Sequence, residues 1–261
     1  MKYLFLPVFL LIACAPHPEN KLVIVTSTTL IASVAQAVGG NRVKVSTIAP
    51  AGMCPGQFDL KPSDIAAANK ADLLINHGWE AWFDQLVKAI NNPKVHHVTT
   101  KIADDWMLPA VQKQEAFEMA GFLSELDTVA KDSFKMRAEI YCHRIDSVAD
   151  LVRQMFKGKK KPKLLAAAYQ APFLSWLGFD VVATYGRPEE ITGRELTHLA
   201  KVGIDSGVGI IVDNLQSGPD AGLELARSLN AKHVTLTNFP LQGKYLEALK
   251  ENAQSLAGLL E

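Results

Sequence analysis

The sequence predicts an α/β protein: two βα lobes with mainly parallel sheets, joined by one long rigid helix, with a ligand cleft between the lobes. Three observations carry this. Short β-branched runs alternate with helix-patterned segments from residue 21 to about 100, the signature of a parallel sheet with helical crossovers. Residues 128–156 then run without a proline or glycine. Alternation resumes at residue 163 and continues to the end. At 1.5 Å per residue the uninterrupted run makes a helix of roughly 43 Å, well beyond the usual length.

In order, "KLVIVTS" (21–27) is a strand by length and composition. "TLIASVAQAVGG" (29–40) is a helix, with Thr28 or Thr29 at its start and Gly39-Gly40 at its end. "RVKVSTIA" (42–49) alternates as a strand, and the loop "GMCPGQFDLKPSD" (52–64) leads into a helix over 62–70 with Pro62 in its first turn. A strand (71–78), an amphipathic helix (79–90) and a strand (94–100) follow. The middle is helical over 110–126 and 128–156, and "KGKKKPK" (157–163) ends it, its lysines reading as a solvated helix end. The second set is strand 163–169, a short helix, strand 179–186, the loop "RPEEITG", helix 194–207, strand 208–214, a turn and helix over 215–230, strand 232–238 and helix 244–260. The expected organisation is therefore a leader over 1–13, a tether over 14–20, an N-terminal lobe over 21–126, a linking helix and turn over 127–161 and a C-terminal lobe over 162–261. In open parallel sheets ligands sit beyond the carboxyl ends of the strands, which places a site between the lobes.

"MKYLFLPVFLLIAC" has one lysine, an apolar run too short to span a bilayer, and Ala13-Cys14. "LIAC" resembles a bacterial lipobox, which implies that Cys14 becomes the first mature residue and carries lipid. An exported, membrane-anchored protein at the cell envelope is expected, periplasmic or on the extracytoplasmic face. Removal of residues 1–13 takes away Lys2 alone among the charges and leaves 26 basic against 27 acidic residues. That near-neutral balance gives no support to a nucleic-acid partner. Cys54 and Cys142 remain, in a compartment that permits a disulfide, but sequence does not show whether they meet.

The order of segments and several stretches carry a resemblance. "GGNRVKVSTIAPAG" (39–52), "KPSDIAAANKADLLINHGWEAWFDQLV" (61–87), "SWLGFDVVATYGRPEEITGREL" (175–196) and "VGIIVDNLQSG" (208–218) resemble the solute-binding proteins of zinc and manganese ABC transporters. The resemblance covers nearly the whole mature chain and is weakest in the middle helices. It implies capture of a divalent metal ion, zinc or manganese, as cargo rather than as a catalytic cofactor. It also implies delivery to an ABC permease and its ATPase, and action as a monomer. No enzyme signature of the G-x-S-x-G, H-E-x-x-H, Walker or G-x-G-x-x-G type is present, so no catalysis is expected.

The chain departs from that family in the ligands. The resemblance implies a histidine before "PSD", one ahead of the central helices, one after the first strand of the second lobe, and a carboxylate in a C-terminal loop. The corresponding places hold Gly56-Gln57, Asp104, Gln170 and Asn238. Zinc is normally held by Cys, His and Asp or Glu, and amide oxygens suit harder cations. The candidate metal or solute contacts are therefore Cys54, Gln57, Asp104, Gln170, Glu189, Glu190, Asp213 and Asn238, with Tyr169, Arg187 and Asn214 as secondary candidates. Six of these also have a structural reading: a packed loop residue for Cys54, loop bracing for Gln57, a cap and surface pair with Asp105 for Asp104, helix N-terminal charge for Glu189 and Glu190, a local turn for Asp213. His77 ends a strand and could approach the cleft, whereas adjacent His96 and His97 point to opposite faces of theirs. Two alternatives stand beside metal capture: the same fold taking a metal chelate or other small polar solute, and a surface adhesion or interaction lipoprotein.

Overall fold

The computed structural model describes residues 21–102, 105–241 and 243–260; Cys14 and Asp104 lie outside them. The first sheet contains β1 (Leu22–Thr26), β2 (Val43–Thr47), β3 (Leu73–Asn76) and β4 (His96–Thr99) in the order β2-β1-β3-β4. The second contains β5 (Leu164–Ala167), β6 (Val181–Tyr185), β7 (Ile210–Asn214) and β8 (Lys232–Leu236) in the order β6-β5-β7-β8. All pairings are parallel. The inner strands β3, β5 and β7 are buried at every residue, as expected where helices cover both faces. In each sheet the strand order reverses between the two inner strands, β1 and β3 or β5 and β7. The crevice beyond those carboxyl ends is the topological switch point.

The helices are α1 (Thr29–Gly39), α2 (Pro62–Ala68), α3 (Phe83–Ala89), α4 (Pro109–Leu126), α5 (Lys131–Met155), α6 (Ala171–Trp176), α7 (Gly193–Ser206), α8 (Leu223–Leu229) and α9 (Tyr245–Ala257). The 25-residue α5 packs against α1, α4 and α9. Its buried residues Phe134, Ala138, Tyr141, Ile145, Ala149 and Val152 recur at three- and four-residue spacing, one stripe of an α-helix. Through that stripe one core is continuous from Ile24 and Val34 in the first lobe to Leu164, Ile210 and Leu256 in the second. Polar ties reinforce it. The Tyr245 backbone N–H donates to Ser33 Oγ (2.9 Å) and its hydroxyl to the Met107 carbonyl (3.0 Å), both buried. The Asp127 side chain accepts from Ala130 N–H (3.2 Å) and from Arg42 Nε (2.9 Å), fixing the chain just ahead of α5.

Three expectations change in detail. Residues 128–130 form a separate 3₁₀ turn rather than the first turn of α5. The helix expected over 79–90 begins only at Phe83. The cause is Glu80, whose buried carboxylate accepts the backbone N–H groups of His77 (3.1 Å) and Gly78 (3.0 Å) and the Ser27 hydroxyl. A side chain that binds backbone donors competes with the helix for them. Trp82 Nε1 also donates to the Pro55 carbonyl (2.7 Å), holding the turn against the β2–α2 loop. Thr28 stands at the N-cap of α1, but its hydroxyl bonds His77 Nε2 (2.8 Å) instead of the helix.

Gly40 ends α1 with φ +59°, and a Cβ there would collide with the Arg137 guanidinium. The lysines after α5 also have structural partners: Lys159 Nζ bonds the Ala257 carbonyl (3.1 Å) and Lys161 Nζ the Leu177 carbonyl (2.5 Å). They neutralise the C-terminal ends of α9 and α6. Cys54 and Cys142 are both free thiols. Among the described residues no helix is long and apolar enough to cross a membrane.

Two stability tests follow from this packing. Ile145→Ala is expected to cost about 2–5 kcal/mol in urea unfolding. Met136→Ala, on the exposed side of the same helix, is expected to cost within about 0.5 kcal/mol. Glu115 on α4 is buried, and burial, then its neighbour Glu118, pushes its carboxyl up to about 9. The folded state therefore keeps a proton that the unfolded chain has lost above about pH 4.5, so this group lowers stability as pH rises toward 9. Glu115→Gln removes that dependence. Its stability relative to the parent is expected to climb with pH, by at most about 1.4 kcal/mol per unit, and to level off above pH 9.

Candidate functional site

The carboxyl ends of both sheets face one cavity of about 590 Å³. The first lobe contributes Leu30 at the start of α1, Cys54-Pro55-Gly56 from the β2–α2 loop, His77 and Trp79 after β3, and Asp105-Trp106 ahead of α4. The second lobe contributes Ala168, Tyr169 and Pro172 after β5 and Arg187 after β6. It also supplies Asn214, Gln216 and Ser217 after β7, and Asn238-Phe239 after β8. Each lies in the segment that follows the carboxyl end of a strand, the place where a parallel sheet puts its ligand contacts.

Three hydrogen bonds close the cleft by gripping the β2–α2 loop from the second lobe. Gln216 Nε2 donates to the Ala51 carbonyl (2.8 Å), Gln57 Nε2 donates to Glu189 Oε1 (3.2 Å), and Arg187 Nη2 donates to Cys54 Sγ (3.4 Å). Gln216 is a junction, since it also donates to Thr237 Oγ1 (2.8 Å) and accepts from Asn238 N–H (3.1 Å).

His77 is buried against Trp79 (ring centroids 5.3 Å apart) and Trp106 (4.3 Å). Burial pulls its imidazole down to about 3, so it is neutral at physiological pH. Nε2 is engaged by Thr28, and Nδ1 is buried without a hydrogen-bond partner. Asp105 Oδ1 accepts the Met107 N–H (2.8 Å).

Of the residues singled out from sequence, Cys54 and Asn238 are on the cavity wall, as are Tyr169, Arg187 and Asn214. Gln57 and Glu189 are exposed beside it and bonded to each other. Glu190 accepts the Arg187 backbone N–H (2.9 Å) and holds its own loop. Gln170 is fully buried behind the wall, donating to Asn238 Oδ1 (2.6 Å) and to the Leu236 carbonyl (3.2 Å).

Asp213 is also fully buried and away from the cavity wall. Its oxygens accept from the Tyr185 hydroxyl (2.6 Å), from Gly222 N–H (3.0 Å) and from His233 Nε2 (2.6 Å). Burial, then the adjacent Asp213, pushes the Tyr185 phenol far above its ordinary value. The turn ahead of α8 thus receives the chain's own Asp213 carboxylate at Gly222 N–H. Asp104 lies outside the described residues. Sequence reasoning missed Gln216, Trp79, Trp106 and Phe239. The signal for them was position, since each follows a strand end or precedes α4 by a few residues.

Among the described residues no three His, Cys, Asp or Glu side chains come together to hold a metal ion. The wall offers one thiol, one neutral imidazole, one carboxylate, one guanidinium, several amides and four aromatic rings.

The comparisons agree on the family. Part of the chain is 31% identical over 101 residues to the iron ABC transporter substrate-binding lipoprotein MtsA of Streptococcus pyogenes serotype M1. It is 30% identical over 96 residues to the manganese ABC transporter substrate-binding lipoprotein PsaA of Streptococcus mitis. These matches cover 34% and 33% of this chain, and the chain spans about a third of the length of these curated relatives (33% and 31%). In fold it is similar to a crystal structure of ZnuA (TM-score 0.80, 19% identity, 92% of this chain and 99% of that one). It is also similar to a manganese-bound periplasmic metal binding protein from Candidatus Liberibacter asiaticus (TM-score 0.79, 14% identity, 91% and 99%). The model of the family described as zinc-uptake complex component A, periplasmic, matches residues 24–258, and this chain belongs to that ZnuA family.

Proposed function

We propose that this protein is the substrate-binding component of an ABC importer, exported, anchored through lipid on Cys14, and free of catalysis. It loads a divalent transition metal of the zinc or manganese class into the inter-lobe cavity and hands it to a permease and its ATPase. The observation that carries this reading is the cavity itself, set at the switch points of two parallel sheets and reached by loops from both lobes. Curated relatives named as iron and manganese ABC transporter substrate-binding lipoproteins support the transport role and the anchor.

A second reading of the cargo is favoured by the donor set: a metal chelate or other small polar solute. Cys54, His77 and Asp105 share the wall but do not assemble into a three-ligand group. The volume of about 590 Å³ falls in the range that small organic ligands occupy, roughly 300–1,000 Å³.

Thermal unfolding of metal-stripped protein discriminates these readings. A cargo present at 100 times its Kd adds about 2.7 kcal/mol, expected here as a rise in Tm of several degrees. A rise with zinc, manganese, iron, cobalt or nickel salts alone, reduced in Cys54→Ser, supports a directly bound ion. A rise only when an organic chelator accompanies the metal supports the second reading. No rise under either condition argues against transport and for an adhesion or interaction role.

A further inference from the structure

Arg187 is the one lysine or arginine on the cavity wall among the described residues. No Asp or Glu lies within ion-pair distance of its guanidinium among the described residues. Nη2 rests on the Cys54 thiol at 3.4 Å, a weak acceptor, the Tyr169 hydroxyl stands beside the guanidinium, and Nε is buried with no partner. The nearby carboxylates are otherwise engaged: Glu190 with the Arg187 backbone N–H and Glu189 with Gln57. Asp105, the other charged group on the wall, accepts from the Met107 backbone. A second donor on the same wall, Asn214 Nδ2, is also buried without a partner, since the Asn214 carbonyl oxygen alone takes the bonds from Gln216 N–H and Ser217. Two donors at this wall, Arg187 Nε and Asn214 Nδ2, are thus left without an acceptor. Buried donors are rarely left unpaired, and a guanidinium fork matches a carboxylate better than any other small partner.

The rest of the wall suits the body of an organic molecule. Trp79, Trp106 and Phe239 line it together with the amides of Asn214, Gln216 and Asn238. We propose that the cargo carries a carboxylate that Arg187 takes through its guanidinium, with Asn214 as a second donor and the three aromatic rings against its apolar portion. This deepens the chelate-or-solute reading and rests on the cleft being the cargo site. The carboxylate belongs either to a free organic acid or to the organic ligand of a metal complex.

Calorimetric titration of the EDTA-stripped protein tests this with named probes: zinc and manganese chlorides alone, citrate and picolinate alone, and each acid premixed with zinc. At least one carboxylate probe is expected to bind. Arg187→Gln is expected to weaken it at least about tenfold, as loss of a hydrogen bond to a charged group does. Arg187→Lys, which keeps the charge and loses the fork, should fall between. Cys54→Ser should stay within about threefold of the parent, because the thiol contributes only a weak contact. Equal binding with and without zinc assigns a free acid, whereas binding of the mixture alone assigns a complex. Unfolding curves of each variant without probe separate loss of binding from loss of folding. Arg187→Gln and Arg187→Lys both binding as the parent does overturns the proposal. So does a parent that takes the bare ions but none of the carboxylates, a result that leaves the metal-importer reading standing. Failure of every probe, bare ions included, sinks both.

Discussion

The apolar stripe of α5 is the constraint on which the rest of the molecule depends. Phe134, Tyr141, Ile145 and Val152 are each almost completely excluded from solvent, and together they turn two four-stranded sheets into parts of one core. Each fully buried side chain of this kind contributes about 1.5–3 kcal/mol relative to exposure. A linker of two or three flexible strands would let the lobes swing. A 25-residue helix packed on α1, α4 and α9 allows only the small adjustments that a close-packed interface tolerates. The Tyr245–Ser33 bond fixes the start of α9 to α1, so the back of the molecule is pinned from both lobes.

The front is held far more weakly. Gln216–Ala51, Gln57–Glu189 and Arg187–Cys54 are the direct bonds described across the cleft. Hydrogen bonds of this kind contribute roughly 0.5–1.5 kcal/mol each. Releasing all three therefore costs a few kcal/mol, whereas prying the lobes apart along α5 would expose core. Access to the cavity follows from this asymmetry: the β2–α2 loop can leave its contacts on the second lobe while the sheets stay in place. That loop carries Cys54, Pro55 and Gly56, three of the first lobe's wall residues.

The sequence made the scaffold legible because the scaffold is written in local pattern. The absence of Pro and Gly over 128–156 and the three-four spacing of its apolar residues are visible without any partner. The same holds for the β-branched runs at 21–27 and 208–214. What stayed hidden depends on residues that meet only in three dimensions. Asp213 ends a strand on the ligand-facing edge and reads as a contact. Tyr185, Gly222 and His233, which enclose it, come from three other segments. Glu80 looks like an ordinary helix residue until its carboxylate is seen holding the turn after β3. Arg187 is only a secondary candidate from the sequence. Its placement over Cys54, 133 positions away, is a product of the fold alone.

The amides at the positions where the family resemblance implies metal ligands have a mechanical consequence. Gln170 Nε2 bonds Asn238 Oδ1, and Asn238 Nδ2 bonds the Tyr169 carbonyl (3.0 Å), so the loops after β5 and β8 are stitched together directly. Gln216 does the same for the loops after β7 and β8 and for the first lobe. A site nucleated by an ion relies on that ion to draw its loops together. The loops after β5, β7 and β8 are already joined through their own side chains. Such a wall lowers the ordering cost of binding and favours a ligand large enough to touch many fixed groups at once. The central strands beneath are buried and make no contact with the cavity beyond their last residues. The donor chemistry of the loops can therefore differ from that of metal-binding relatives while the core that positions them stays the same.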